Sequence, residues 1–286
     1  MKKLVMGMLG VGIGLWSSGS CAEDLRQQMV ASTLVTGTVL VSPDGKVHSF
    51  KVDQAEKLPA AARDLLNRNI PTWTFERNVA LPVDITERMT IRLMAKAVDA
   101  HHDAISIVSA SFDDDFRAAD ETVVPATRTE PKYPGEAVTG NVNGTVYTLI
   151  YVGRDGRTQK ALAEQVNLRT AVPKKYQDQF RKDLANAATS ALSSWTWRVP
   201  TSGRQAAAPG WWVRIPVVFT LSIKGKLEIK DPEYGDWDVY IPGPRLQLTL
   251  DSADQALQAQ GSDAIANGTI HLADPSVKLT TSLGGS

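Results

Sequence analysis

Cysteine is almost missing from this chain of 286 residues: Cys21 stands alone. No disulfide can form within the chain, so its cores must hold by packing. Charge of one sign is missing too, with 31 basic residues against 31 acidic ones. Such a balance gives no field to attract nucleic acid. No apolar run reaches the roughly 20 residues that a helix needs to cross a bilayer. Also absent are a Gly-x-Ser-x-Gly elbow, a phosphate-cradling glycine loop and paired carboxylates at helical spacing. His101-His102-Asp103 has ligand chemistry but no third partner spaced to join it, and Asp113-Asp114-Asp115 lacks the later Gly and Glu of a calcium loop. The sequence therefore nominates no catalytic residue, no cofactor site and no metal site, and a non-enzymatic protein is expected.

What is present begins with 43% apolar residues, enough for about two compact domains. Met1-Lys2-Lys3 followed by the 13-residue stretch Leu4 to Trp16 has the form of a secretory signal. Cleavage after Ala22 is expected, which makes residues 1–22 a signal peptide; lipidation at Cys21 is the alternative. Without Lys2 and Lys3 the balance is 29 against 31, or −2. From Gly225 onward four basic residues face nine acidic ones, or −5. Residues 225–286 thus read as a mildly acidic tail, docked or extended, with a short helix at Asp254 to Gly261.

Between these ends the pattern is α+β. Leu34 to Val41 and Lys46 to Val52 are β-rich runs around Pro43-Asp44-Gly45, a hairpin signal. Pro59 opens a helix with Ala62, Leu65, Leu66 and Ile70 on one stripe, and Pro71 closes it. Strands are expected at Met89 to Val98 and Ala104 to Phe112. These features make a first unit over 34–112, and the charged, Pro-broken stretch 113–128 reads as a linker. A second unit over 129–224 repeats the plan. Gly144 to Val152 and Arg157 to Val166 flank Asp155-Gly156, an amphipathic helix spans Tyr176 to Ser194, and Trp211 to Ile223 is a final apolar strand.

The two units share more than composition. Gly37-Thr38-Val39 recurs as Gly144-Thr145-Val146, Asp44-Gly45 as Asp155-Gly156, and Trp73-Thr74-Phe75 as Trp195-Thr196-Trp197. Trp73 to Arg92 and Trp195 to Arg214 are both 19 residues, which pairs Arg92 with Arg214 as solvent-facing charges on equivalent strands.

The second unit resembles the C-terminal domain of TonB, the periplasmic protein that transmits energy to outer-membrane receptors. The likeness rests on Pro131-Lys132-Tyr133-Pro134, Gly135-Glu136-Ala137, Gly144-Thr145-Val146, Asp155-Gly156, the Ala-rich helix running into Trp195-Thr196-Trp197 and Pro200, and Ile215-Pro216-Val217-Val218-Phe219. The first unit resembles it more weakly and lacks the Pro-x-Tyr-Pro opening. The resemblance implies two TonB C-terminal-like modules, each a small antiparallel sheet packed by one or two helices. It also implies a periplasmic location and a closing strand that receives an extended segment from envelope proteins, among them TonB-dependent outer-membrane receptors. Two departures separate this chain from the full transducers: there is no long Pro- and Lys-rich spacer, and no His between Leu4 and Trp16.

The strand in question is Val213 to Leu221. Val213, Ile215, Val217 and Phe219 alternate on one face, Arg214 and Pro216 lie on the other, and Pro216 cannot donate to a ladder, which places it at an edge or a bulge. Val213, Arg214, Ile215, Val217 and Phe219 are the candidate partner-binding residues. Two alternatives stand beside this reading. One is a periplasmic enzyme acting on glycan or peptidoglycan through Trp195, Trp197, Trp211 and Trp212, although Trp at such junctions is more often core. The other is a self-associating envelope protein whose edges pair with one another.

Overall fold

The computed structural model describes residues 25, 27–78, 82–97, 103–113, 118–221, 233–251, 254, 257, 263–273 and 276–283. The expected signal peptide and Cys21 lie outside these residues, as do His101, His102, Asp114, Asp115 and most of the expected helix at 254–261. Among the described residues no helix is long and apolar enough to cross a membrane, and no three His, Cys, Asp or Glu side chains are grouped to hold a metal. The fold is mixed α+β, with antiparallel sheets and few helices.

In the first half, β1 (Val30–Val41) turns at Asp44-Gly45 into β2 (Val47–Val52). Gly45 has φ +80°, and a Cβ there would stand 2.2 Å from the Phe75 carbonyl oxygen, so the turn excludes any side chain. Helix α1 (Ala60–Asn69) follows, with Ala62, Leu65 and Leu66 buried at helical spacing. Next come β3 (Phe75–Arg77), β4 (Ile85–Ala97) and β5 (Asp103–Asp113). The sheet runs β2-β1-β4-β5. Its core gathers Val35, Val39, Leu66, Ile70, Met89 and Ile91, and Trp73 and Phe75 both meet the Phe112 ring edge-on, at 6.0 and 5.0 Å.

The second half starts with β6 (Val124–Thr127) and the short α2 (Gly135–Thr139). Then come β7 (Gly144–Gly153), β8 (Thr158–Leu168), α3 (Lys174–Ser193), β9 (Thr196–Arg198) and β10 (Gly210–Phe219). Leu184, Ala188, Ala191 and Leu192 make the buried stripe of α3, and the small alanines let the helix lie close to β7 and β8. β10 pairs along its whole length with β7.

The two hairpins match in register at a shift of 111 residues (156 minus 45). Gly45 and Gly156 both have positive φ, and their carbonyls accept from the amides of Phe75 and Trp197 at 2.7 and 2.8 Å. The bulge between Leu40 and Val41 recurs between Tyr151 and Val152. The bridge of Lys46 to Thr74 recurs as Arg157 to Thr196. Val41 pairs with Ile85, and its counterpart Val152 with Trp211. Counting on from there, Arg214 corresponds to Arg88, not to Arg92. The equal spacings from Trp misled because Trp195 to Trp211 spans 16 residues where Trp73 to Ile85 spans 12, four more in the connecting loop.

The last segment is not a loose tail. β11 (Asp238–Tyr240) pairs with β1, β12 (His271–Leu272) with β10, and β13 (Val277–Leu279) with β3. Leu168 and Ile241 exchange two backbone bonds of 2.8 and 3.0 Å. Composition hid this, because the strands are two or three residues long and their apolar residues are scattered among charges. The stretch expected as a linker is partly structured as well, since β6 pairs with β9.

The two halves meet at Arg92. Its guanidinium donates to Ser32 Oγ at 2.7 Å, to the Asp263 carbonyl at 2.7 Å and to Tyr147 Oη at 3.0 Å. Burial pushes the Tyr147 hydroxyl up to about 12, against the pull of the Arg92 charge. A group whose pKa is higher in the folded chain contributes stability that is complete below the unfolded value, near 10, and lost as pH rises toward the folded one. Thermal melts should therefore show stability falling between about pH 10 and 12 by about 3 kcal/mol from this group. Tyr147→Phe should flatten the fall; an equally steep fall in the variant would assign it to other tyrosines.

Candidate protein-docking edge

β10 has two unequal flanks. Toward β7 it is fully paired. On the other side β12 meets it only at Val213 and Arg214, and the Ala273 amide donates to the Trp212 carbonyl at 2.7 Å. Strand geometry alternates the direction of backbone groups. Trp212 and Arg214 turn theirs toward β12, so Pro216 and Val218 turn theirs toward the same flank, beyond the end of β12. Ile215 turns inward, where its carbonyl also accepts from Thr148 Oγ1 at 2.7 Å. Pro216 consequently sits at a rim position, where its missing N–H leaves no gap in the β7 ladder. Among the described residues no strand covers the rim from Ile215 to Phe219. A cleft of about 140 Å³ runs beside it, bounded by Pro216, Val217, Ala188, Trp195, Gly268 and Ile270.

The five residues named from the sequence are divided by this geometry. Val213, Ile215 and Phe219 point into the cores under α3 and are buried. Val217, on the same face, is only half-buried and borders the cleft. A strand laid along this rim would therefore be held by main chain and by Val217 and Val218.

Arg214 is not a solvent-facing charge. Only 4% exposed, it forms a two-pronged pair with Glu164, Nε to Oε2 at 2.9 Å and Nη2 to Oε1 at 3.0 Å, and donates to the Leu257 carbonyl at 2.6 Å. Arg92, at 6% exposure, is likewise interior. The final segment, folded over that face of the sheet, closes both arginines off from water. Glu164 was missed in the sequence, although a signal exists: Asp53 and Glu164 each stand eight residues after a turn glycine (53 minus 45, 164 minus 156). Asp53 pairs with Arg88 at 2.7 Å, so the repeat carries one ion pair per hairpin.

The four tryptophans named from the sequence share no exposed platform. Trp197, Trp211 and Trp212 are buried, with Trp197 donating to Thr158 Oγ1 and Trp211 to the Gln205 carbonyl. Trp195, half-buried, donates to the Thr129 carbonyl at 2.9 Å. The Pro131-to-Pro134 opening is pinned through Tyr133, whose hydroxyl donates to the Val142 carbonyl at 2.7 Å and whose ring meets Phe219 edge-on at 5.3 Å.

No family model, curated protein or solved structure matches the chain. The likeness to the TonB C-terminal domain accordingly rests on the sequence motifs alone. Three of these motifs have a clear structural part to play. Tyr133 fastens the opening to β10, Gly156 makes the hairpin turn, and Trp197 docks on that turn.

Proposed function

We propose that the chain is an exported, non-enzymatic docking protein of the periplasm, built of two modules resembling the TonB C-terminal domain. Its β10 rim takes up an extended segment of an envelope protein by strand addition. The observation that carries this reading is the run from Ile215 to Phe219, which among the described residues has a ladder partner on one flank only. Unpaired strand rims recruit other strands. The resemblance supplies the class of partner: outer-membrane receptors engaged in transport.

The backbone directions set the test. Val218→Pro removes a donor that faces outward and leaves the β7 ladder whole, so stability should change by less than about 1 kcal/mol. A photo-crosslinking residue at Thr220, which is exposed, should capture an outer-membrane protein in intact cells, and capture should fall at least roughly tenfold when Val218→Pro is added. Undiminished capture with Val218→Pro would overturn strand addition at this rim. Capture of a second copy of the chain alone would replace the reading with self-association.

A further inference from the structure

Five consecutive residues of β5, Val108 to Phe112, line a cleft of about 390 Å³. Successive residues of a strand point to opposite faces, so an unbroken run can border one space only along the rim of the strand. β5 pairs with β4 on its inner side, and among the described residues no strand pairs with its outer side. The opposite wall is made of two more short strands, with His271 and Leu272 from β12 and Val277 to Leu279 from β13. Ser109 lines the same space. Its side chain is fully buried, and its hydroxyl has no hydrogen-bond partner among the described residues.

The charge of the lining has one sign. Three cations, Arg214, Arg245 and Lys278, border the cleft beside the His271 ring, and no carboxylate among the described residues does. Outside the lining, Glu164 answers Arg214, and Asp113 stands 3.3 Å from His271. Asp263 is shared between Arg92 at 3.7 Å and Arg245 at 3.5 Å, so one carboxylate serves two guanidiniums. Glu76 stands across the ladder from Lys278 and is likewise outside the lining, so the residues that border the space carry cations only.

We infer that this cleft is a second docking site, taking an acidic extended peptide that adds as a strand to β5 with its carboxylates against Arg245 and Lys278. Rim and charge together select this occupant: an elongated space along open main chain suits a strand, and a basic lining favours carboxylates. The inference does not depend on the β10 rim. A strand held here would lie between β5 and the β12–β13 wall and draw the two sheets toward one continuous layer.

Fluorescence polarisation of a labelled peptide of about ten residues, alternating valine with glutamate, tests it on the full chain. Saturable binding is expected, at least roughly tenfold tighter than for the same peptide with lysine in place of glutamate. Methylating alternate backbone nitrogens of the peptide should cost about as much, since it deletes ladder donors. Arg245→Glu combined with Lys278→Glu should weaken binding roughly tenfold, and Val218→Pro should leave it unchanged. Absence of saturable binding would overturn the inference, as would equal binding of the lysine or methylated peptide. Loss of binding in Val218→Pro but not in the double variant would move the site to β10 and overturn it as well. The peptide comparisons need no variant, so they decide the matter even if the double variant fails to fold.

Discussion

Glu164→Ala is expected to destabilise the protein by about 3–5 kcal/mol, because it strands the Arg214 guanidinium in the interior. Both side chains of this pair are nearly closed to solvent, at 5% and 7% exposure. Replacing both at once, with Arg214→Met and Glu164→Leu, removes the charges together, and the double variant should lie within about 1 kcal/mol of the parent. The related pair of the first half is an internal control. Arg88 and Asp53 retain 33% and 26% exposure, so water still screens them and Asp53→Ala should cost roughly 1 kcal/mol. Urea unfolding midpoints of the variants measure these differences. If Glu164→Ala and Asp53→Ala cost the same, the final segment is not sealing the second pair, and its packing over β8 and β10 is wrong.

Deleting residues 233–286 should have a still larger effect: loss of cooperative folding in both halves. Tyr240, Ile241, Leu250, Ile265, Leu272 and Val277 are all buried. Six large apolar side chains at about 1.5 kcal/mol each match the lower half of the whole stability of a domain, about 5–15 kcal/mol. The deletion also uncovers their partners, among them Trp212 and Leu149, and leaves the interior bonds of Arg92 and Arg214 to Asp263 and Leu257 without acceptors. Near-ultraviolet circular dichroism and dye binding would register this as lost aromatic order and exposed apolar surface. A truncated chain that unfolds in a single sharp transition near the parent midpoint would show that the segment is an accessory and not part of the core.

Much of the architecture was legible in the residues because it rests on local rules. Asp44-Gly45 and Asp155-Gly156 mark their turns through positive φ, which glycine alone accepts freely. Pro59 and Pro71 bracket α1, and the stripe Leu184, Ala188, Leu192 shows α3 by period. Pro216 pointed to an edge or a bulge; its strand lies between β12 and β7, and the proline sits on the β12 flank past the two residues that β12 pairs. What escaped was everything decided at long range. Arg92 and Arg214 look like surface charges in sequence because their acceptors, Asp263, Glu164 and Leu257, come from distant segments. The match of Arg214 with Arg88 was hidden by a loop four residues longer. β11, β12 and β13 carry no alternation long enough to be seen, since two or three residues define no period. The β5 rim was invisible for the same reason: that a strand lacks a neighbour is a property of the assembled sheet, not of its own residues.

The pairing of Val30 with Tyr240 and of Phe75 with Leu279 joins the first strands to the last. Contacts separated by some two hundred positions raise the entropic threshold for folding and slow it. A chain ordering from its first strands can form its helices and hairpins early, yet neither half is finished until β11, β12 and β13 are in place. Maturation is thus a single late event, and a molecule interrupted in synthesis carries open sheets that invite aggregation.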